Sequence, residues 1–300
     1  METTLELREV RKAYGDFVAV ESVSFAVPKG SLYGLLGPNG AGKTTTIRMV
    51  MDILAPDRGE ILLFGRQRTR EDLRRIGYLP EERGLYRKMT VLEQLVFLAE
   101  INGVSRREAQ RRAEKWLQRL ELDRWGKAKI EALSKGMQQK IQIVGALLHA
   151  PEIVILDEPF SGLDPINQGM LKEVLSELRA AGTTILFSTH IMEHAEKLCD
   201  RICLISAGRV LLEGELAKLK HERGGNVFRL SAAGDLARAR SVSGVREVIE
   251  TPAGVRLILA PEASGGAVLR ELVSFLDVRE FRSEEPDLET LFIQAVRDAA

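Results

Sequence analysis

The stretch SLYGLLGPNGAGKTTTIRMV, residues 31–50, decides how this chain is to be read. Residues 31–36 predict a short buried strand, residues 37–42 a glycine-rich turn, and residues 44–50 the opening of a helix. Across the turn runs the pattern G-x-x-x-x-G-K-T, which includes Gly37, Asn39, Gly40, Gly42, Lys43 and Thr44. A loop of this composition lets successive backbone N–H groups curl around phosphate oxygens, and the helix N-terminus adds partial positive charge. Lys43 is then placed to reach the β and γ phosphates of a nucleotide. The Thr44 hydroxyl is placed to bind Mg²⁺, and Thr45 can add a further phosphate contact.

A second signal is PEIVILDEPFSGLD, residues 151–164. Residues 153–156 form an apolar run bounded by turn residues, as a buried parallel strand would, and bring Asp157 and Glu158 to its C-terminal end. Beside a phosphate loop the two carboxylates divide the work: Asp157 holds Mg²⁺ through its shell, and Glu158 polarises the water that attacks the γ-phosphate. The plainer reading is a strand ended by acids before Pro159. Between the two signals, EALSKGMQQKIQIVGALL (residues 131–148) places Ser134 and Gly136 at the start of a helix. A helix N-terminus is an anion site, although Ser-x-Gly in isolation is only an N-cap.

The segment FSTHIMEH, residues 187–194, holds H-x-x-E-H, the pattern of inverted zinc peptidases. On a single helix His190 and His194 would share a face with Glu193 beside them. The β-branched run Thr183, Thr184, Ile185 argues instead for a strand ending at His190.

The 300 residues are 45% hydrophobic and 29% charged, enough for a full core and a division into one large and one small domain. Lys plus Arg (43) balances Asp plus Glu (43), so no global charge argues for nucleic acid or anionic lipid as a partner. METTLELREVRK at the N-terminus has no apolar core of the kind a secretory signal requires and is expected to stay attached. The longest uncharged apolar stretches fall short of the roughly 20 residues that cross a bilayer. Cys199 and Cys203 read as small buried hydrophobes of a reduced, cytosolic protein.

Taken in order, the phosphate loop, LSKGMQQK, ILDEP, SGLD and STH closely resemble the ATP-binding cassette (ABC) family of ATPases, over roughly residues 3–220. The resemblance implies a P-loop NTPase of α/β class, a mixed sheet core with a helical subdomain at about 85–150, binding ATP and Mg²⁺. It implies that Tyr14 in KAYGDF stacks on adenine and that His190 is the switch histidine contacting the γ-phosphate. Residues 133–137 match the family signature LSGGQ, with Lys135 and Met137 departing from it. Family members work as head-to-tail dimers in which Ser134 and Gly136 of one subunit complete the phosphate site of the other, so a homodimer with two active sites is expected. Where most members carry glutamine against Mg²⁺, this chain has Glu81, in GYLPEERGLY.

Within residues 85–150, SRREAQRRAEKWLQRLEL sets Ala109, Ala113, Trp116, Leu117 and Leu120 on one apolar face with charges opposite. That basic stretch reads as a solvated helix face. By resemblance, the helical insert and IGYLPEERGLY form the groove for a membrane permease, which would hold the chain at the cytoplasmic face of the membrane. After HERGGN the pattern changes. NVFRLS, a hairpin VREVIETPAGVRLIL around Pro252, and VREFRSEEP read as strands, with helices at LARARSV, VLRELVSFL and LETLFIQAV. A small α+β domain of βαββαβ type is expected over 222–300, after a cassette at 1–221. Such C-terminal domains resemble those of sodium and drug exporters, and the motifs look most like ATPases of the sodium-extrusion type. A drug, antibiotic or lipid exporter stays open as an alternative, as does a non-transport ABC ATPase.

Overall fold

The computed structural model describes residues 2–82, 84–223, 227–251, 254–260 and 262–298. Two compact units divide it, one up to Glu213 and one from Gly214 onward.

The first unit opens with a long antiparallel hairpin, β1 (Thr3–Tyr14) and β2 (Phe17–Pro28), then β3 (Leu32–Leu36), helix α1 (Lys43–Val50), β4 (Arg58–Leu63) and the short β5 (Arg66–Gln67). A single turn, α2 (Arg70–Leu73), leads to β6 (Ile76–Leu79). Helices α3 (Val91–Ile101), α4 (Arg106–Arg119) and α5 (Lys135–Leu147) follow, then β7 (Ile153–Asp157), α6 (Pro165–Ala180), β8 (Thr184–Thr189), α7 (Met192–Leu198), β9 (Arg201–Ser206) and β10 (Arg209–Glu215). The ten strands order as β5-β4-β1-β2-β10-β9-β3-β8-β7-β6. Around β3 the sheet is parallel, with β8 and β9 on its flanks and β7 beyond β8, while β1, β2, β4 and β5 pair antiparallel. This is the mixed-sheet α/β architecture expected from the sequence.

The central parallel strands β3, β7 and β8 are buried along their whole length and show no in–out alternation. Leu5, Leu35, Ile47, Ile155 and Leu186 belong to the core between sheet and helices. Each such side chain contributes about 1.5–3 kcal/mol by leaving water. The helical region has its own core, in which Leu95, Ala109, Ala113, Leu117 and Leu120 pack together and Trp116 is half-buried against them. Helix α3 starts with a full capping box, Thr90 accepting from the Glu93 N–H and Glu93 accepting from Thr90.

In the second unit, α8 (Leu216–Arg223) precedes β11 (Val227–Ala233), β12 (Val245–Thr251), β13 (Gly254–Leu259), α9 (Gly265–Leu272), β14 (Asp277–Ser283) and α10 (Leu288–Asp298). The sheet order is β12-β13-β11-β14, with antiparallel neighbours throughout. Its core is built on Leu230, Val255, Leu257, Val268 and Leu272. The helix expected at LARARSV is a 3₁₀ helix, Leu236–Ser241, because the nine residues between Gly234 and Gly244 leave room only for a short, tight helix capped by Asp235. The expected hairpin tip at Pro252 and the end of the HERGGN linker lie outside the described residues.

Candidate functional site

Three parallel strands end side by side, and their C-terminal ends carry the site. In register, Leu36 of β3 faces Thr189 of β8, and Asp157 of β7 faces Ser188. The loop after β3 turns sharply into α1. Gly37 and Gly42 both have positive φ (151° and 104°), and a Cβ would lie 2.1 Å from the Ile205 carbonyl oxygen at the first and 2.5 Å from that of Ala19 at the second. Only glycine fits at either position, for reasons of both space and backbone. Inside α1 the Thr46 hydroxyl donates to the Gly42 carbonyl at 2.8 Å and tightens the first turn.

A cavity of about 230 Å³ sits against this turn, lined by Asn39, Gly40, Gly42, Lys43, Thr44 and Thr45 together with Glu81, Glu158, Phe17 and Ala19. Lys43 is almost fully buried; its Nζ donates to the carbonyls of Gly37 (2.8 Å) and Pro38 (3.1 Å) and lies 3.5 Å from Glu158 Oε1.

The carboxylates are held by a residue that the sequence reading passed over. Ser188 Oγ donates to Asp157 Oδ1 at 2.5 Å and accepts the Glu158 N–H at 3.0 Å. One buried hydroxyl thus sets both acids. Glu158 has φ 49°, in the left-handed region that costs a non-glycine residue about 1–2 kcal/mol. The Ser188 bond and the Ser161 N–H on the Glu158 carbonyl, at 3.1 Å, hold it there. Burial pushes the Asp157 carboxyl above its ordinary value, hydrogen bonds from Ser188 and Thr44 pull it back, and the charges of Glu81 and Glu158 raise it further. Its Oδ2 is buried with no hydrogen-bond partner.

That orphaned oxygen, the Thr44 hydroxyl and the Glu81 carboxylate are hard oxygen donors of the kind Mg²⁺ takes, so the residues present fit the ion. Of the two adjacent acids, Glu81 lines the cavity and accepts from Thr44 Oγ1 at a long 3.4 Å, while the exposed Glu82 faces Arg48 at 3.7 Å. Arg83, next in the segment, is outside the described residues.

His190 stands just past the end of β8, two residues before α7 begins at Met192, so the H-x-x-E-H pattern does not lie on one helix. Its Nδ1 is 3.1 Å from both oxygens of Glu158. A carboxylate only accepts, so Nδ1 carries the hydrogen. His194 is instead buried in α7, with its ring 4.4 Å from that of Phe160, and burial holds its pKa below the usual value.

Three expected residues stand elsewhere. Tyr14 ends β1 and pairs with Phe17 across the hairpin turn; Phe17, 64% exposed, is the aromatic that lines the cavity. A phenylalanine directly after the Gly15–Asp16 turn was the available signal. Ser134 caps α5 by accepting the Met137 N–H at 3.3 Å, and a Cβ on Gly136 would lie 3.6 Å from Asn167 Nδ2. Neither Ser134 nor Gly136 lines the phosphate-loop cavity.

Among the described residues no helix is long and apolar enough to cross a membrane. The family model for ABC transporters matches residues 20–161, and one described as the C-terminal domain of DrrA1-3-like ATP-binding proteins matches 214–296. An uncharacterized ABC transporter ATP-binding protein of Bacillus subtilis (strain 168), YhaQ, is 42% identical over 97% of this chain and 98% of its own length. The linearmycin resistance ATP-binding protein LnrL of the same organism is 34% identical over 96% of this chain and 97% of its own. A dimeric ATP-binding cassette, MJ0796, solved bound to ADP and Pi, superposes with a TM-score of 0.65 at 26% identity, covering 71% of this chain and 98% of that one. The chain belongs to the ATP-binding proteins of ABC transporters: it is an ATPase subunit that takes ATP with Mg²⁺ and pairs with a membrane permease.

Proposed function

We propose that the chain drives export through a separate permease, as a homodimer with two working ATP sites at the cytoplasmic face of the membrane. The observation that carries this reading is the convergence of Lys43, Asp157, Glu158 and His190 at the ends of β3, β7 and β8. In it the loop from Gly37 through Asn39, Gly40 and Gly42 cradles the phosphates with Lys43 and Thr45. Thr44, Asp157 and Glu81 hold Mg²⁺, which when bound offsets the phosphate charge. Glu158 acts as general base on the attacking water, positioned by Ser188 and His190, and His190 contacts the γ-phosphate. Tyr14 and Phe17 flank the base. Ser134 and Gly136, outside the cavity of their own chain, serve the site of the second copy.

The permease docks on the helical region, where Tyr86 and Phe97 meet edge to face at 5.7 Å and remain exposed with Ile101, one turn further along α3. Residues of the C-terminal α+β domain, placed at 222–300 by sequence and grouped from Gly214 by contacts, carry no part of the hydrolytic site and serve as an accessory module. For the cargo, similarity to the linearmycin resistance protein LnrL supports a drug or antibiotic over sodium ions. Proteoliposomes containing the chain and its permease separate the two. ATP-dependent accumulation of linearmycin or a fluorescent amphipathic drug, with no sodium flux, is the expected result. ATP-driven sodium movement that ignores the drug reverses the assignment to sodium, and movement of neither overturns the export reading.

A further inference from the structure

Away from the nucleotide site, a second cavity of about 460 Å³ opens in the first unit between α4, the end of α5 and the end of α6, and shares no lining residue with the phosphate-loop cavity. Its volume falls in the range of small-molecule sites. The floor is apolar, with Trp116, Leu148 and Leu178, and the rim is basic, with Arg111, Lys115 and Arg119 on successive turns of α4. Among the described residues no carboxylate lines it.

The charges of this rim are only partly answered. Arg111 and Arg112 both bind Glu108, which they hold down to about 2, and Arg119 reaches across to Glu177 of α6 at 2.7 Å. Lys115 makes no ion pair among the described residues. Four cations thus face two carboxylates, leaving two positive charges in excess beside an aromatic wall over which Arg119 lies at 5.0 Å. These rim charges are exposed, yet they surround a concave apolar surface, which water wets poorly and a hydrocarbon body would cover.

We propose that this cavity binds an amphipathic organic anion of the fatty-carboxylate class. The apolar body lies on Trp116, Leu148 and Leu178, and the acid group is taken by Lys115 and its neighbouring arginines. A polyphosphate is a poor match, because it would leave the floor uncovered and bring more negative charge than the two unanswered cations offset. The site stands apart from the ATPase reading and does not depend on it.

The protein contains its own reporter. Trp116 and Trp125 are its two tryptophans, so Trp125→Phe in the full chain leaves the cavity residue as the sole emitter. Dodecanoate, kept below its micelle concentration, is expected to change Trp116 emission saturably. Dodecylammonium and dodecanol should bind at least about tenfold more weakly, since the rim charge selects the acid. Lys115→Glu, an exposed change that leaves folding intact, should weaken dodecanoate about tenfold. MgATP should not displace it. Absence of a saturable response, equal binding of the three chains, no effect of Lys115→Glu, or displacement by MgATP overturns the proposal. Saturation by hexaglutamate but not by dodecanoate also overturns it, in favour of an acidic protein segment.

Discussion

His190 Nδ1 lies 3.1 Å from both carboxylate oxygens of Glu158, although the two residues are 32 positions apart in the chain. A group that touches both oxygens orients the carboxylate plane, and Lys43 Nζ at 3.5 Å completes the cluster. Glu158→Gln keeps the shape and loses the basicity. A general base contributes roughly 10² to 10⁴ in rate, so hydrolysis should fall by about that factor while ATP binding survives. The variant should accumulate an ATP-bound dimer on size exclusion. Hydrolysis at the wild-type rate would remove Glu158 from the role of base.

The two histidines of the FSTHIMEH segment should separate cleanly. His190→Ala is expected to abolish most ATPase activity. His194→Ala removes a buried ring tilted against that of Phe160 and is expected to cost about 1–3 kcal/mol of stability while keeping most activity at a temperature where it stays folded. Thermal melts and initial rates on both variants check this. Equal loss in both, restored by added zinc, would return the chain to the peptidase reading.

Glu81 brings a negative charge to a place where the family usually has an amide. A carboxylate about 5 Å from a phosphate charge costs on the order of 3 kcal/mol at an effective dielectric of 20, and a divalent ion between them reverses the sign. ATP should therefore bind poorly to the wild type in EDTA. Glu81→Gln should strengthen metal-free binding and shrink the ratio of affinities with and without Mg²⁺. Calorimetric titration under both conditions measures that ratio, and an unchanged value sinks the role given to Glu81.

The aromatic pair at the hairpin turn makes a separable prediction. Phe17 lines the cavity and Tyr14 stands opposite it in the strand pair, so Phe17→Ala should weaken ATP and GTP alike. Loss of a base–aromatic stack is worth about 1–3 kcal/mol, or roughly 5- to 150-fold in affinity. Tyr14→Ala in the same assay shows how the stacking is shared. If neither change weakens binding, the hairpin does not carry the base.

In the C-terminal domain, Glu284 accepts from Arg256 at 2.8 Å and Arg229 at 3.2 Å, and these guanidiniums hold its carboxyl below the usual range, Arg256 first. A carboxyl whose folded pKa is depressed adds stability that is present above its unfolded value, about 4.3, and is lost as pH falls through the folded value. The pairs are partly exposed, so Glu284→Gln should cost on the order of 1 kcal/mol at pH 7. Below pH 4 the difference between variant and wild type should shrink, as urea melts at the two pH values can show.

Much of the fold was legible because the signals were local. The apolar run of residues 31–36, the glycines after it and the helix that opens at Lys43 each follow from preferences acting over a few residues. The same holds for β7 with its terminal Asp157, for the capped start of α5, and for the βαββαβ order of the second unit. The 3₁₀ helix Leu236–Ser241 departed from expectation because flanking glycines limit its length, which helical periodicity alone does not register.

The site itself was decided by packing. Motif order in the sequence names Asp157, Glu158 and His190, yet only the parallel register of β7 on β8 brings Ser188 beside both acids and His190 beside Glu158. That register is set by the helix that crosses between the strands and by burial on both faces, neither of which can be read from a short window. The same is true of the choice of Glu81 over Glu82, and of Phe17 at the cavity wall. Adjacent residues point in different directions, and which of them meets the phosphate loop depends on where the sheet carries the backbone. Composition and motif spacing thus determined the chemistry this chain could perform, and the tertiary structure determined which atoms meet to perform it.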